Sequence, residues 1–135
     1  MGPVQNAIRE TVHEGDVMYT PSASQPFRVS RINMEGVMLE LGRHGVPTLL
    51  PWYCLEGVPG FLRGHGDVRI GGSGKAIRTA PNTFDGYLKE YMGRLTAGWV
   101  AAVLEKAGVV EIQRTRPASI RLSARFSEND CAQLT

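Results

Sequence analysis

Residues 82–125 carry the clearest structural pattern in the sequence, and they read NTFDGYLKEYM (82–92), GRL (93–95), TAGWVAAVLEKAG (96–108) and VVEIQRTRPASIRLSAR (109–125). Apolar residues in the first and third segments recur at helical spacing, and a capping residue stands at the start of each, Asn82 or Thr83 in the first and Thr96 in the third. The last segment begins and ends with short alternating runs that are typical of strands. The order of these patterns predicts a helix, a short turn, a second helix and a β-hairpin.

The second helix of this stretch is the better defined of the two. Thr96 caps its start, Lys106 lies in its last turn, and Gly108 is a natural left-handed terminator. One side carries an apolar stripe at 3.6-residue spacing, made of Trp99, Val100, Val103, Leu104 and Ala107. The opposite side begins with a small-residue face, made of Ala97, Gly98, Ala101 and Ala102, and ends at Glu105. We expect the stripe in the core and the small-residue face in solvent.

The hairpin that follows has a basic loop. Residues 109–112 and 119–122 predict its two strands, with Ile120 and Leu122 on one face. The loop between them spans residues 113–117 and contains Arg114 and Arg116. Both arginines are expected to be exposed, because they lie in a polar run between two alternating strands.

This order of elements resembles the second half of a winged helix-turn-helix, in which the second helix enters DNA and the hairpin forms a wing. The resemblance implies duplex DNA as the partner. Helix-start amides would bind a phosphate, and wing arginines would contact the backbone or the minor groove. The implied contact residues are Arg94, Thr96, Ala97, Gly98, Ala101, Arg114 and Arg116.

The small-residue face leaves a second interpretation open. It offers no Arg, Lys, Asn or Gln before Lys106, and these are the usual base-reading residues, whereas phosphate repels Glu105. A small, nearly uncharged face also suits packing against another protein or a second copy of the chain. The alternative is therefore a non-catalytic adaptor or oligomerisation protein that uses the same face.

Composition predicts an ordinary globular chain, and the predicted elements, an N-terminal β-meander and a C-terminal winged-helix-like unit, make it α+β. It has 135 residues, of which 42% are hydrophobic and 21% charged, and a formal net charge of +2. Residues 81–126 hold seven Lys or Arg against four Asp or Glu, so the basic excess lies in the winged-helix-like part. The predicted divisions are a β-meander part (1–70), a Gly/Ser/Pro-rich loop (71–82), a winged-helix-like unit (83–126) and a polar tail (127–135).

The N-terminal part reads as a helix followed by an antiparallel meander. Val4, Ile8 and Val12 lie at helical spacing within residues 4–13. Strands are predicted at 16–20, 27–32, 37–42 and 46–50, and a further strand at 68–70. Pro51 is expected at the first position of a short helix that Pro59 interrupts or restarts.

The motifs that would indicate catalysis or a cofactor are incomplete or have the wrong spacing. The sequence Gly71-Gly72-Ser73-Gly74-Lys75 lacks the first glycine of a phosphate loop, where Arg69 stands, and Ala76 replaces the magnesium-binding hydroxyl. The histidines do not have zinc-ligand spacing, and no carboxylate pair is placed for acid–base work. We therefore expect no enzyme activity, no cofactor and no metal.

The remaining signals concern location. The N-terminus lacks a secretory pattern, and no apolar run approaches a bilayer span. Cys54 and Cys131 are far apart and are expected to be free thiols. These features favour a bacterial cytoplasmic protein with no membrane partner.

Overall fold

The computed structural model describes residues 2–21, 25–42, 44–63, 67–70, 84, 87–88, 97–114, 118–124 and 126. The chain is of α+β class, as the sequence predicts. The helices whose bounds fall within these residues are α1 (Pro3–Thr11), α2 (Trp52–Glu56), α3 (Val58–Leu62) and α4 (Ala97–Lys106). The strands within them are β1 (Val17–Tyr19), β2 (Pro26–Ile32), β3 (Gly36–Leu41), β4 (Val46–Pro51), β5 (Val68–Arg69), β6 (Val110–Gln113) and β7 (Ser119–Leu122).

The first four strands form an antiparallel meander in the order β1-β2-β3-β4. The turn between β2 and β3 is held by the Asn33 side-chain oxygen, which accepts hydrogen bonds from the backbone N–H groups of Glu35 (2.9 Å) and Gly36 (3.3 Å). One face of the sheet is buried, because every second residue along each strand points toward a common core. The buried positions are Met18, Phe27, Val29, Val37, Leu39, Leu41, Thr48 and Leu50.

Pro51 corrects one expectation in this region. It pairs with Gly36 as the last residue of β4, and its backbone is extended (φ −67°, ψ 143°). The helix starts one residue later, at Trp52, because a residue in a ladder cannot also take helical dihedrals. Pro59 lies in the first turn of α3, where a missing backbone N–H removes no helical hydrogen bond.

The second sheet has three strands in the order β5-β7-β6. The predicted hairpin is present, with Glu111 opposite Arg121 and Ile112 opposite Ile120. The strand at Val68–Arg69 was expected with the N-terminal part, but it pairs with β7 across Ile120 and Ser119. The hairpin is thus extended by a strand that precedes α4 in the chain.

Helix α4 ends where the sequence predicts. Gly108 has a left-handed backbone (φ +78°), which glycine adopts without steric cost. The N–H of Val109 donates to the carbonyl of Leu104 at 2.9 Å, and the N–H of Gly108 donates to that of Glu105 at 3.0 Å. These bonds satisfy carbonyl groups that the last helical turn leaves without partners.

One hydrophobic core runs through both sheets. It includes Val4 and Ile8 of α1, residues of the meander, and Val100, Val103 and Leu104 of α4. The predicted burial of Leu104 is confirmed, because its side chain is fully buried. In the described part of the chain, no helix is long and apolar enough to cross a bilayer.

Candidate nucleic-acid interface

The small-residue face of α4 is buried, which corrects the expectation that it lies in solvent. Ala101 is 0% exposed, Ala97 2% and Ala102 8%, and Gly98 is half-buried. A Cβ atom added at Gly98 would lie 3.7 Å from the Thr20 side chain, which follows β1. Helices α1 and α4 also pack against each other. The N-terminal half of the chain therefore covers the face that was predicted to enter a groove.

The burial has a simple physical cause. Helix α4 has the apolar stripe on one side and the alanine and glycine of the small-residue face on the other. Neither of these two sets of residues carries a charge, so both sides can be buried. Small side chains allow the backbone of α4 to approach α1 and β1 closely, which a face of long side chains would prevent. Trp99, predicted in the core, is instead partly buried and packs at its margin. The absence of base-reading residues, already visible in the sequence, was the sign that this face packs within the chain.

The C-terminal end of α4 is tied to the meander by an ion pair. Lys106 Nζ lies 3.0 Å from Asp16 Oδ2, and the same oxygen accepts a 2.9 Å hydrogen bond from the backbone N–H of His13. The hydrogen bond from His13 and the contact with Lys106 lower the pKa of Asp16. Lys106 is thereby engaged by a carboxylate of the same chain.

Arg114 is exposed at the end of β6, as predicted, and it is also paired. Its Nη1 and Nη2 atoms donate to the two carboxylate oxygens of Glu105, each at 2.7 Å. This fork-to-fork contact raises the pKa of Arg114, and its side chain remains 55% exposed. Glu105 therefore fixes the direction in which the guanidinium points.

The outward face of the second sheet carries a balanced set of charges. Arg121 Nη2 lies 2.9 Å from Glu111 Oε1, and this contact raises the pKa of Arg121, with a smaller contribution from Asp67. Arg69 is exposed on β5 of the same sheet. Since Glu111 and Asp67 lie close to Arg121, the described part of this sheet is not a strongly basic surface.

The other predicted DNA contacts lie outside the described residues. These are Arg94 and Thr96, which precede α4, and Arg116 in the hairpin loop. The structure therefore brings Glu105 and Arg114 together, and it places Ala97, Gly98 and Ala101 at an internal contact.

Two other features of the structure bear on chemistry, the Cys54 thiol and a cavity beside α1. Burial raises the pKa of the Cys54 thiol to about 11, so it is protonated at neutral pH and poorly suited to act as a nucleophile. A cavity of about 370 Å³ lies between α1 and the end of α4, with Glu10 and Lys106 in its wall. Among the described residues, no group of three or more His, Cys, Asp or Glu side chains could hold a metal ion.

Comparison of the chain with protein-family models, curated proteins and solved structures finds no match. The geometry of the chain and the order of its elements are therefore the basis for inferring its function.

Proposed function

We propose that the chain is a non-catalytic, cytoplasmic module that binds duplex DNA with the hairpin end of its C-terminal unit. The hairpin end consists of Gln113, the last residue of β6, Arg114, which follows it, and Ser119, the first residue of β7. The proposal is carried by the position of Arg114, an exposed and oriented guanidinium on a hairpin that β5 extends to three strands. The order of α4, β6 and β7 agrees with the winged-helix resemblance.

The chemistry of Arg114 suits a phosphate contact. A guanidinium fork matches a carboxylate and a phosphate with the same pair of parallel hydrogen bonds. In the free protein the Glu105 carboxylate occupies that fork. A DNA phosphate would take the place of Glu105 without requiring Arg114 to change its direction much. Glu105 would then remain nearby as a repulsive charge, which lowers the affinity.

Because the small-residue face is buried, some of the DNA contacts predicted from the sequence are excluded from the proposed interface. Ala97 and Ala101 are covered by the N-terminal half of the same chain, so they are not part of the proposed interface. Without a helix in the major groove, few base edges are read. We therefore expect weak binding that depends on phosphate and shows little sequence preference, with a dissociation constant of roughly 1–100 μM at physiological salt.

The test is a fluorescence anisotropy titration of a random-sequence duplex at about 50 and 200 mM salt. Wild-type affinity should fall as salt rises, because cations on the DNA are released when phosphates are neutralised. Arg114→Ala should weaken binding to all duplexes alike and reduce the salt slope by about one unit. Glu105→Gln should tighten binding, since it removes the competing charge while keeping a side chain of the same size.

Arg121→Ala is the matched control for this titration. Arg121 is also an exposed arginine paired with a glutamate, but it lies opposite Glu111, two positions further along β7 from the hairpin end. Its removal should leave the salt slope unchanged. Absence of binding at low salt would contradict the proposal. So would an Arg114→Ala salt slope equal to that of wild type, or a Glu105→Gln affinity no higher than that of wild type.

A further inference from the structure

The four-stranded meander has a second face that points away from the core. We call it the open sheet face and define it by Val17, Tyr19, Pro26, Arg28, Glu40 and Pro47. Val17 is 56% exposed and Tyr19 is 61% exposed, and Pro26 and Pro47 are also exposed. Apolar side chains that cluster on one exposed surface commonly mark a contact with another molecule.

A charged pair lies at the centre of this face. Arg28 on β2 is directly opposite Glu40 on β3, and Arg28 Nε donates to Glu40 Oε1 at 2.9 Å. The same row continues to Val17 on β1 and to Pro47 on β4. Across the sheet, the row therefore reads apolar, positive, negative, apolar.

We propose that the open sheet face binds a second copy of the chain. A two-fold axis that lies in the interface, parallel to the strands and between β2 and β3, brings each Arg28 over Glu40 of the other copy. The same axis places Val17 over Pro47, so apolar groups meet apolar groups. A two-fold interface must be complementary to itself, and this row satisfies that condition in both charge and polarity.

The size of the face indicates a weak dimer. The four strands lie about 4.8 Å apart; β1 has three residues and the others six or seven, so the face presents roughly 350 Å² per copy. A standard interface buries about 800 Å² per partner, so this face is less than half that size. The dimer should consequently form at micromolar to millimolar concentrations and dissociate on dilution. The surface is separate from the hairpin end, and the inference does not depend on DNA binding.

The test reverses the charge of Arg28 or Glu40, mixes the two variants, and measures the dissociation constant of the dimer by sedimentation equilibrium. The protein concentration runs from about 10 μM to 1 mM, the range in which a weak dimer forms. Arg28→Glu alone and Glu40→Arg alone should each raise the dissociation constant at least about tenfold, because like charges would meet at the axis. An equimolar mixture of the two variants should restore association to within about threefold of wild type, since one copy brings two carboxylates and the other two guanidinium groups. Mixing cannot repair the pair within one chain, so recovery reports on contacts between copies.

Two controls keep the inference open to contradiction. Arg121→Glu reverses a charge on the other sheet and should leave the dissociation constant unchanged. Tyr19→Lys should weaken association through an exposed site that the fold does not require, which covers the case in which a charge-reversed variant unfolds. A wild-type chain that stays monomeric throughout the range would overturn the inference. The inference would also be overturned if the mixture associated no better than either variant alone. A dissociation constant for Arg121→Glu as high as those of Arg28→Glu and Glu40→Arg would overturn it too.

Discussion

Asp16 connects the meander to the end of α4 through one carboxylate oxygen, which accepts from the His13 N–H and contacts Lys106. Its pKa is lower in the folded chain than the value of about 3.9 for an unfolded aspartate. A lowered carboxyl pKa stabilises the fold at pH values above the unfolded pKa. That stabilisation disappears as the pH falls through the folded pKa.

Asp16→Asn should therefore lower the free energy of unfolding at pH 7, and the difference from wild type should shrink as the pH falls below about 4. Urea denaturation at several pH values measures this. Glu10→Gln on the exposed side of α1 is the control for the loss of a surface carboxylate. An Asp16→Asn effect of equal size at pH 3 and pH 7 would exclude a role for the carboxylate charge.

Single residues differ in how far the sequence reveals their roles. Gly108 was predicted to end α4, because a helix terminator acts within its own turn of chain. Glu56 was not identified. Its two carboxylate oxygens accept from the backbone N–H groups of Val4 (3.1 Å) and Gln5 (2.9 Å), and so cap the start of α1. No local pattern shows a cap that comes from more than fifty residues along the chain.

Helix α4 is the element for which the structure differs most from the sequence-based prediction. Its bounds and its apolar stripe followed from local spacing, which is reliable for a periodic segment. The burial of its small-residue face depends on which other elements pack against it, and alanine is compatible with either a core or a surface. The pairing of β5 with β7 is likewise a long-range contact that local alternation does not specify.

Substitutions along α4 test the burial directly. Ala101→Glu should destabilise the chain by about 3 kcal/mol or more, because it places an unpaired carboxylate at a fully buried position. Leu104→Ala should cost roughly 2–5 kcal/mol through loss of apolar burial and the cavity that remains. Thermal or urea denaturation measures both changes.

Gly98→Ala is the matched control in the same helix. Its added Cβ atom fits beside Thr20 at ordinary contact distance, and alanine is the better helix former. The variant should be as stable as wild type or more stable by up to about 1 kcal/mol. If Ala101→Glu were as stable as Gly98→Ala, the small-residue face would have to lie in solvent after all.

At the scale of the whole molecule, charge limits what the chain can bind. The described residues hold eight Lys or Arg against nine Asp or Glu, although the complete sequence has a net charge of +2. The basic excess therefore lies in residues outside the described set. Several described cations, including Arg28, Lys106, Arg114 and Arg121, are paired with carboxylates. A uniformly attractive field for DNA is not expected, so binding should be local.

In the proposed complex, DNA meets the hairpin end of the chain and not the small-residue face of α4. An amide ¹H–¹⁵N correlation spectrum, recorded at low salt as a short random-sequence duplex is added, tests it most directly. We predict progressive shifts at Gln113, Arg114 and Ser119, with the amides of residues 97–102 nearly unchanged. Shifts concentrated at residues 97–102, or no shifts in the spectrum, would contradict the claim.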